Sequence, residues 1–287
     1  MTVSDKCPFC NYDIPRTEVQ CPHCARPSRF PNVLDASDDT EKQSLDRRHQ
    51  TAIQEADVRG CGTQVRQFEA EAACSRAVLA RSVLVVEQLA TSDCQLYATY
   101  YKTIRAGVRV PTGEKWDKLR GVTDLALFGD KNKDQICFAA LSLDSVGLDN
   151  YGECSLTARD DMIAHRASVF EENSVKFMER HKIAFAEAHD LPKGFRAPWD
   201  DRARLCTTKL AAAIHTTTTA ADFPMLLLKP GKTSDDDDFV EVHIWGPMTV
   251  RTFERVIVRR KKNHPRKSIL KALGERLKRY QVPLQVM

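Results

Sequence analysis

The sequence of 287 residues lacks the features of a membrane-spanning or secreted protein. It has no apolar run near the roughly 20 residues that a helix needs to cross a bilayer. The first residues, Met-Thr-Val-Ser-Asp-Lys-Cys, do not form the charged start and apolar stretch of a secretory signal. We therefore expect a cytoplasmic protein that makes no contact with a membrane.

The common fingerprints of nucleotide-binding and hydrolytic enzymes are also missing. The chain has no Gly-x-Gly-x-x-Gly after a strand pattern, no P-loop, no His-Glu-x-x-His and no Gly-x-Ser-x-Gly. Helical patterns come first, and several strand patterns separated by turns follow them, without regular alternation. These observations argue against a doubly wound nucleotide-binding fold and predict an α+β fold.

Neither sign of charge is in large excess, because 43 basic residues face 39 acidic ones and the net charge is +4. The distribution is uneven, since residues 251–279 contain twelve Lys or Arg against only Glu254 and Glu275. A basic helix is predicted from about residue 265 to residue 280. It would contact RNA, DNA or an acidic partner, or it would be an ordinary solvated helix.

Ten cysteines are present, and four of them have the spacing of metal ligands. Residues 7–24 contain two Cys-x-x-Cys pairs separated by ten residues. Four thiolates favour a closed tetrahedral zinc site, which stabilises a segment too small for its own core. The predicted ligands of Zn²⁺ are Cys7, Cys10, Cys21 and Cys24. The resulting ribbon is expected either to support the fold or contact a protein, or to bind nucleic acid.

The remaining six cysteines are scattered through mostly apolar patterns. Without a secretory signal they are expected to stay reduced and to act as small buried hydrophobic residues. They are Cys61, Cys74, Cys94, Cys137, Cys154 and Cys206.

Composition divides the chain into three predicted parts. Residues 1–30 form the zinc ribbon, and residues 31–74 form a charged helical connector that links it to the rest or binds a partner. Residues 75–287 form an α+β catalytic domain that ends in the basic helix.

Residues 239–245, Phe-Val-Glu-Val-His-Ile-Trp, alternate with the period of two that is typical of a strand. One face would carry the aliphatic side chains of Val240, Val242 and Ile244. The other would carry Phe239, Glu241, His243 and Trp245. A carboxylate and an imidazole between aromatic walls indicate a small-molecule pocket, and the alternative is a solvated sheet edge.

Two stretches resemble the mono-ADP-ribosyltransferases of the Arg-Ser-Glu type. Residues 239–258, F-V-E-V-H-I-W-G-P-M-T-V-R-T-F-E-R-V-I-V, are similar to the last motif of that family, an aromatic-x-Glu strand followed by a short β-pair. Residues 151–174, Y-G-E-C-S-L-T-A-R-D-D-M-I-A-H-R-A-S-V-F-E-E-N-S, are similar to the middle of its toxin-like and phage-associated members. The likeness covers residues 75–260 as short motifs in the same order.

The resemblance implies a split β-sheet core with helices, NAD⁺ as the substrate and the transfer of ADP-ribose. It assigns Glu241 as the catalytic carboxylate, which stabilises the positive ribose as nicotinamide departs. A serine at the end of a central strand would orient this carboxylate and the ribose. Ser142 is the first choice for that role, and Ser155 is the second.

The resemblance further implies residues that bind NAD⁺ around Glu241. An arginine on the first core strand would hold the diphosphate, and Arg81 and Arg76 both qualify. An aromatic ring that stacks on nicotinamide would be Tyr151 or Tyr97. His243 is assigned to the same pocket as a hydrogen-bond donor. Ordinary surface charge for the arginines and core packing for the tyrosines are the alternatives.

One position departs from the family pattern. Many protein-directed members carry Gln or Glu two residues before the catalytic Glu, and here that residue is Phe239. The identity of the ADP-ribose acceptor therefore cannot be inferred from the family. RNA or DNA held by the basic segment becomes a candidate acceptor. A toxin or defence effector, inhibited by an antitoxin protein, would fit such an enzyme. The rival hypothesis is a non-enzymatic zinc-ribbon protein that binds nucleic acid.

Two acidic clusters complete the sequence. Residues 171–174, Glu-Glu-Asn-Ser, are predicted to cap the next helix through Asn173 or Ser174, or else to lie at the rim of the site. Residues 235–238, four aspartates, are predicted to form a solvated loop. The alternative is that they shield the pocket until a partner binds.

Overall fold

The computed structural model describes residues 4–7, 9–15, 18, 20–107, 110, 115–183, 191–259 and 267–287. The strands in chain order are β1 Ser4–Lys6, β2 Asp13–Pro15, β3 Arg76–Arg81, β4 Ile136–Ser142, β5 Cys154–Ala158, β6 Ala167–Phe170, β7 Arg196–Pro198, β8 Leu228–Lys229, β9 Asp238–Phe239, β10 Glu241–Trp245, β11 Phe253–Val258 and β12 Leu284–Val286. The helices are α1 Pro31–Ala36, α2 Asp39–Val58, α3 Gly62–Ala72, α4 Val83–Leu89, α5 Tyr100–Arg105, α6 Lys115–Phe128, α7 Asp160–Ile163, α8 Ser174–Arg180, α9 Arg202–Leu210, α10 Phe223–Leu227 and α11 Lys267–Lys278.

Eight of the described strands form one mixed sheet in the order β12-β11-β5-β3-β4-β10-β6-β7. Strands β11 and β12 are parallel, whereas the other neighbours are antiparallel. Two small hairpins, β1-β2 and β8-β9, stand apart from this sheet. A large mixed sheet surrounded by helices confirms the predicted α+β class.

The sheet opens between β3 and β4. These strands pair only where residues 76–78 of β3 face residues 140–142 of β4. Beyond Val78, β3 continues alongside β5, whereas β4 continues alongside β10. A gap therefore separates the two strands in the middle of the sheet.

The larger core lies on the face of the sheet to which Val240, Val242 and Ile244 point. All three side chains are fully buried, as the alternating pattern predicts. Val65 and Phe68 of α3 and Leu45 of α2 pack into the same cluster. The segment predicted as a connector is therefore packed against the sheet, and it contributes to the core of the main domain.

The opposite face of the sheet carries a smaller aromatic core. Phe170 and Phe177 are buried there, with their ring centroids 4.8 Å apart at an angle of 76°. Phe138 and Trp245 pack against the same cluster. This is the face to which Glu241 and His243 belong, because strand residues two apart lie on the same side.

The basic C-terminal helix is present as α11. Its leucines Leu270, Leu273 and Leu277 pack into the larger core, whereas Lys271 and Lys278 are exposed. The helix therefore covers the face of the sheet opposite Glu241. Residues 260–266, part of the predicted basic segment, lie outside the described residues.

The six scattered cysteines divide into two groups. The prediction of burial is correct for Cys61, Cys137, Cys154 and Cys206. It is wrong for Cys74 and Cys94, which are exposed because each lies outside the helices and strands that form the core. Among the described residues, no helix combines the length and the apolar character needed to cross a membrane.

Candidate active site

A cavity of about 760 Å³ occupies the gap between β3 and β4. This volume lies in the range of sites for small molecules and cofactors. Residues 78–81 of β3 and residues 136–140 of β4 form two of its walls. Other lining residues come from α4, from α5 and the segment before it, from α6, from the turn before β5, from the start of α8, from the β8-β9 hairpin and from β10: Val85, Gln88, Tyr97, Tyr100, Arg120, Tyr151, Asn173, Lys176, Asp235, Phe239 and Glu241.

Glu241 is the buried carboxylate of this cavity, with only 3% of the residue exposed. It lies opposite Ala140 of β4 and Phe170 of β6. Its Oε2 accepts hydrogen bonds from the main-chain N of Ser174 over 3.0 Å and from Nε2 of His243 over 3.1 Å. Neither bond involves Oε1, and no described residue hydrogen-bonds to that oxygen, so Oε1 is available to a ligand.

The surroundings of Glu241 favour its charged form. Burial by itself raises the pKa of the Glu241 carboxyl. The hydrogen bond and charge of His243 lower that pKa, as do the charge of Arg120 and a hydrogen bond from the Ser174 side chain. The balance is a lowered pKa, so a fixed negative charge is present in the cavity at neutral pH.

Arg120 of α6 is a site residue that the sequence analysis missed. Its guanidinium lies over the ring of Phe138 at 4.2 Å, and its Nε is 3.4 Å from Oδ2 of Asp124. The hydroxyl of Tyr101 donates to the same oxygen over 2.8 Å. Burial by itself lowers the pKa of Arg120, but the negative charges of Asp124 and Glu241 outweigh this effect, and the pKa is raised. The only sequence signal was this i, i+4 pair of opposite charges in a largely apolar helix.

Arg81 and Tyr97, both predicted to bind NAD⁺, meet in the cavity wall. The Arg81 guanidinium donates to the Tyr97 hydroxyl and, over 2.6 Å, to the carbonyl of Ala80. It also lies 5.2 Å from the centre of the Tyr97 ring. Burial raises the pKa of Tyr97, so its hydroxyl stays protonated.

Tyr151, the other predicted stacking residue, lies at the mouth of the cavity with 40% of its surface exposed. Its ring packs edge-on against Phe239 at 6.4 Å. Burial, followed by the charge of Glu241, raises the pKa of Tyr151 to about 12. The structure thus brings Arg81, Tyr97, Tyr151 and Glu241 into one cavity.

Four other predicted residues lie outside the cavity lining. His243 is one of them, although its Nε2 contacts Glu241, and the other three are Ser142, Ser155 and Arg76. Ser142 extends β4 two residues beyond Ala140, but its Oγ lies 2.8 Å from Asp144 Oδ1 and 3.0 Å from the Val146 carbonyl. Ser155 accepts a hydrogen bond from the N–H of Gly147 over 2.8 Å. Arg76 forms ion pairs with Asp160 and Glu254. None of the three contacts Glu241, because each is engaged by a neighbouring turn or strand.

The Glu-Glu-Asn-Ser cluster takes both roles that were considered for it. The Asn173 side chain caps α8 by accepting from the N–H groups of Val175 and Lys176. The first helical N–H, that of Ser174, is thereby turned toward Glu241. Asn173 also lines the cavity.

The first three of the four aspartates form a loop at the cavity rim, and the fourth, Asp238, begins β9. Asp235 lines the cavity and is exposed to solvent. The prediction of a solvated loop is wrong for Asp237, which is buried. Its Oδ1 accepts from the N–H of Gly231 over 2.7 Å and from the amide of Asn150 over 3.0 Å. These bonds fix the loop beside the cavity.

The four predicted zinc ligands cluster outside the cavity lining. The ligand atoms of Cys7, Cys10, Cys21 and Cys24 all lie within 4.8 Å of one another. The sulfurs of Cys7 and Cys24 are 3.7 Å apart, and those of Cys10 and Cys21 are 3.6 Å apart. Tetrahedral zinc with bonds of about 2.3 Å requires sulfur–sulfur distances of about 3.8 Å. The cluster is therefore compatible with a structural zinc ion.

The ribbon packs against the main domain next to β10. The Phe9 ring meets the His165 ring edge-on at 4.9 Å. The ring of Phe30, the last residue of the ribbon segment, lies 5.7 Å from that of His165 and 6.3 Å from that of Trp245. Because Trp245 ends the strand that carries Glu241, the ribbon supports that strand from its far end.

Comparison with known proteins adds no relative to this picture. No family model matches the chain, and no match was found among curated protein sequences.

Proposed function

We propose that the protein is an ADP-ribosyltransferase that cleaves NAD⁺ and transfers ADP-ribose to a macromolecular acceptor. The observation that supports this most is the arrangement of Glu241. The carboxylate is buried, its pKa is lowered, and one oxygen is fixed by two donors while the other is available in a cavity of suitable volume.

The chemistry explains why such a carboxylate is required. The bond between C1′ of the ribose and the nicotinamide nitrogen breaks, and its electron pair leaves with neutral nicotinamide. The ribose becomes an oxocarbenium ion, which the negative charge of Glu241 stabilises where it develops. A nucleophile of the acceptor then bonds to C1′ and loses its proton.

The cavity also offers cations for the diphosphate of NAD⁺. Arg81 and Lys176 line it, and neither forms an ion pair with a carboxylate among the described residues. Lys176 Nζ donates instead to the carbonyl of Asp237 over 2.7 Å. Two cations without a carboxylate partner favour a ligand with two negative charges. Arg120, already paired with Asp124, adds a third positive group.

The parting of β3 and β4 supports an ADP-ribosyltransferase-like split sheet. In the proposed assignment, the nicotinamide end of NAD⁺ lies near Glu241 in this gap. Tyr97 and Tyr151, the two rings predicted to stack on nicotinamide, both line this cavity.

A second candidate function rests on α11. Lys267, Lys271 and Lys278 repeat at intervals that place them along one exposed stripe, and no ion pair holds them in the described residues. Such a stripe attracts the phosphates of RNA or DNA. It lies across the sheet from Glu241, so this feature supports the non-enzymatic hypothesis independently of the cavity. The roles of toxin, defence effector and target of an inhibitory protein stay predictions.

The test uses NAD⁺ labelled in its adenylate phosphate, incubated with the protein and with RNA, DNA or protein mixtures. We expect label on a macromolecule with the wild type and a loss of at least about 100-fold with Glu241→Gln. Glu41→Gln is the matched control, because Glu41 is equally buried and accepts from a main-chain N–H, that of Gly194, outside the cavity. Salt-dependent nucleic-acid binding without any label transfer would favour the second candidate.

A further inference from the structure

His243 is the most enclosed polar ring beside the cavity. Its centroid lies 5.0 Å from that of Phe128, 5.4 Å from that of Phe138 and 5.8 Å from that of Phe170. Only 3% of the residue is exposed. Three aromatic neighbours from α6, β4 and β6 leave the ring little freedom to rotate.

The main chain of His243 is fixed as well. The side-chain amide of Asn32, in α1, donates to the His243 carbonyl over 2.9 Å. The same amide lies 3.2 Å from Oγ of Ser168 on the neighbouring strand. The segment that follows the zinc ribbon thus holds β10 at the residue whose ring faces Glu241.

We propose that His243 is a positioning residue, which donates its Nε2–H to Oε2 of Glu241 and so directs Oε1 into the cavity. This inference rests on the proposed function. An ionised carboxylate has no hydrogen to donate, so the proton of the 3.1 Å contact must be on Nε2. With the Ser174 N–H on the same oxygen, the two donors fix the carboxylate plane before a substrate binds.

The charged groups around the pair come from few elements. The charge of Arg120, in α6, lowers the pKa of Glu241. The charge of Glu241 in turn raises the pKa of Asp124 in α6 and of Tyr151 at the cavity mouth. The contacts of His243 with α1, β4 and β6 are the Asn32 amide and phenylalanine rings. The His243 ring makes the measured side-chain hydrogen bond to Glu241, and the Ser174 side chain also lowers the pKa of this carboxyl through a hydrogen bond.

The experiment compares His243→Phe, His243→Gln and His181→Phe. His243→Phe fits the aromatic surroundings but removes the donor, whereas the amide of His243→Gln can still donate. His181→Phe is the matched control, because His181 packs against Phe177 at 4.2 Å and Phe195 at 5.3 Å without contacting Glu241. The readouts are the pH profile of kcat/KM for NAD⁺ and the titration of a ¹³C-labelled Glu241 carboxyl followed by NMR.

We expect His243→Phe to lower kcat by about 10- to 100-fold with a smaller change in KM. In this variant, the acid limb of the kcat/KM pH profile and the titration of Glu241 should both move to higher pH by about one unit. The reason is that a donor that stabilises the charged carboxylate is lost. His243→Gln should keep most of the wild-type kcat and most of the wild-type titration of Glu241. His181→Phe should change neither quantity. An unchanged Glu241 titration in folded His243→Phe, or an equal shift in His181→Phe, would overturn the inference.

Two further measurements keep the test decisive. If His243→Phe does not fold, ¹H–¹⁵N spectra of the wild-type imidazole decide the question, because an Nε2 without a proton contradicts the inference. If the wild type does not cleave NAD⁺, the proposed function fails, while the NMR titration still reports whether His243 controls Glu241. The two failures are thus distinguishable.

Discussion

The main-chain N–H of Ser174 donates to Oε2 of Glu241, joining the first residue of α8 to a strand residue 67 positions away in the sequence. The same oxygen faces His243, which leaves Oε1 for the cavity. The site therefore depends on where α8 begins, and the cap of that helix is part of the site.

Replacing the capping residue tests this dependence. Asn173→Ala removes the side chain that accepts from Val175 and Lys176, and it should lower the free energy of unfolding by about 1 kcal/mol. It should also lower NAD⁺ cleavage, because Ser174 loses its fixed position. Asn173→Asp keeps an acceptor and should retain the stability. Urea denaturation of both variants measures the effect, and equal stability of Asn173→Ala and wild type would contradict it.

The pH dependence of stability tests the electrostatics of Glu241. A carboxyl whose folded pKa is lowered contributes stability that is present above its ordinary value of 4.5 and is lost as the pH falls through the folded pKa. The free energy of unfolding should therefore fall more steeply below pH 4.5 in the wild type than in Glu241→Gln. Denaturant unfolding at several acidic pH values measures the two slopes, and parallel slopes would contradict the lowered pKa.

The two arginines predicted to bind the diphosphate should behave differently. Arg81→Ala should raise KM for NAD⁺ by about tenfold, because Arg81 lines the cavity and has no carboxylate partner in the part of the chain that the structure describes. Arg76→Ala should leave KM unchanged and lower stability, since Arg76 is paired with Asp160 and Glu254. Steady-state kinetics and thermal unfolding of both variants separate the two roles. A raised KM in Arg76→Ala alone would reverse the assignment.

Loss of the metal should affect the main domain through the aromatic contacts of the ribbon. We expect one zinc ion per chain. Cys21→Ser should abolish zinc binding and lower the Tm. The fluorescence of Trp245 should change as well, because Phe30 packs beside it. Cys74→Ser, at an exposed cysteine outside the cluster, is the control and should change none of these. Full zinc content in Cys21→Ser would refute the ligand assignment.

Local patterns in the sequence predicted the parts of the structure that depend on local geometry. The period of two in residues 239–245 was enough to place Val242 in the core and Glu241 on the other face, and the Cys-x-x-Cys spacing was enough to bring four thiols together. The α+β class followed from the order of the helical and strand patterns.

The rest depended on contacts between distant residues. Ser142 lies at a strand end as expected, yet its hydroxyl faces the turn at Asp144, because the register of β3 and β4 ends there. Arg120 and Ser174 reach Glu241 only through the packing of α6 and α8, which no spacing in the sequence encodes. The opening between β3 and β4 is likewise a property of pairing among three strands.

The release of free nicotinamide from NAD⁺ tests the central claim most directly, because it needs no knowledge of the acceptor. Mass spectrometry should detect nicotinamide with the wild type and with Glu41→Gln, and at least about 100-fold less with Glu241→Gln. Equal release by the wild type and Glu241→Gln, or no release by any folded form, would contradict the account.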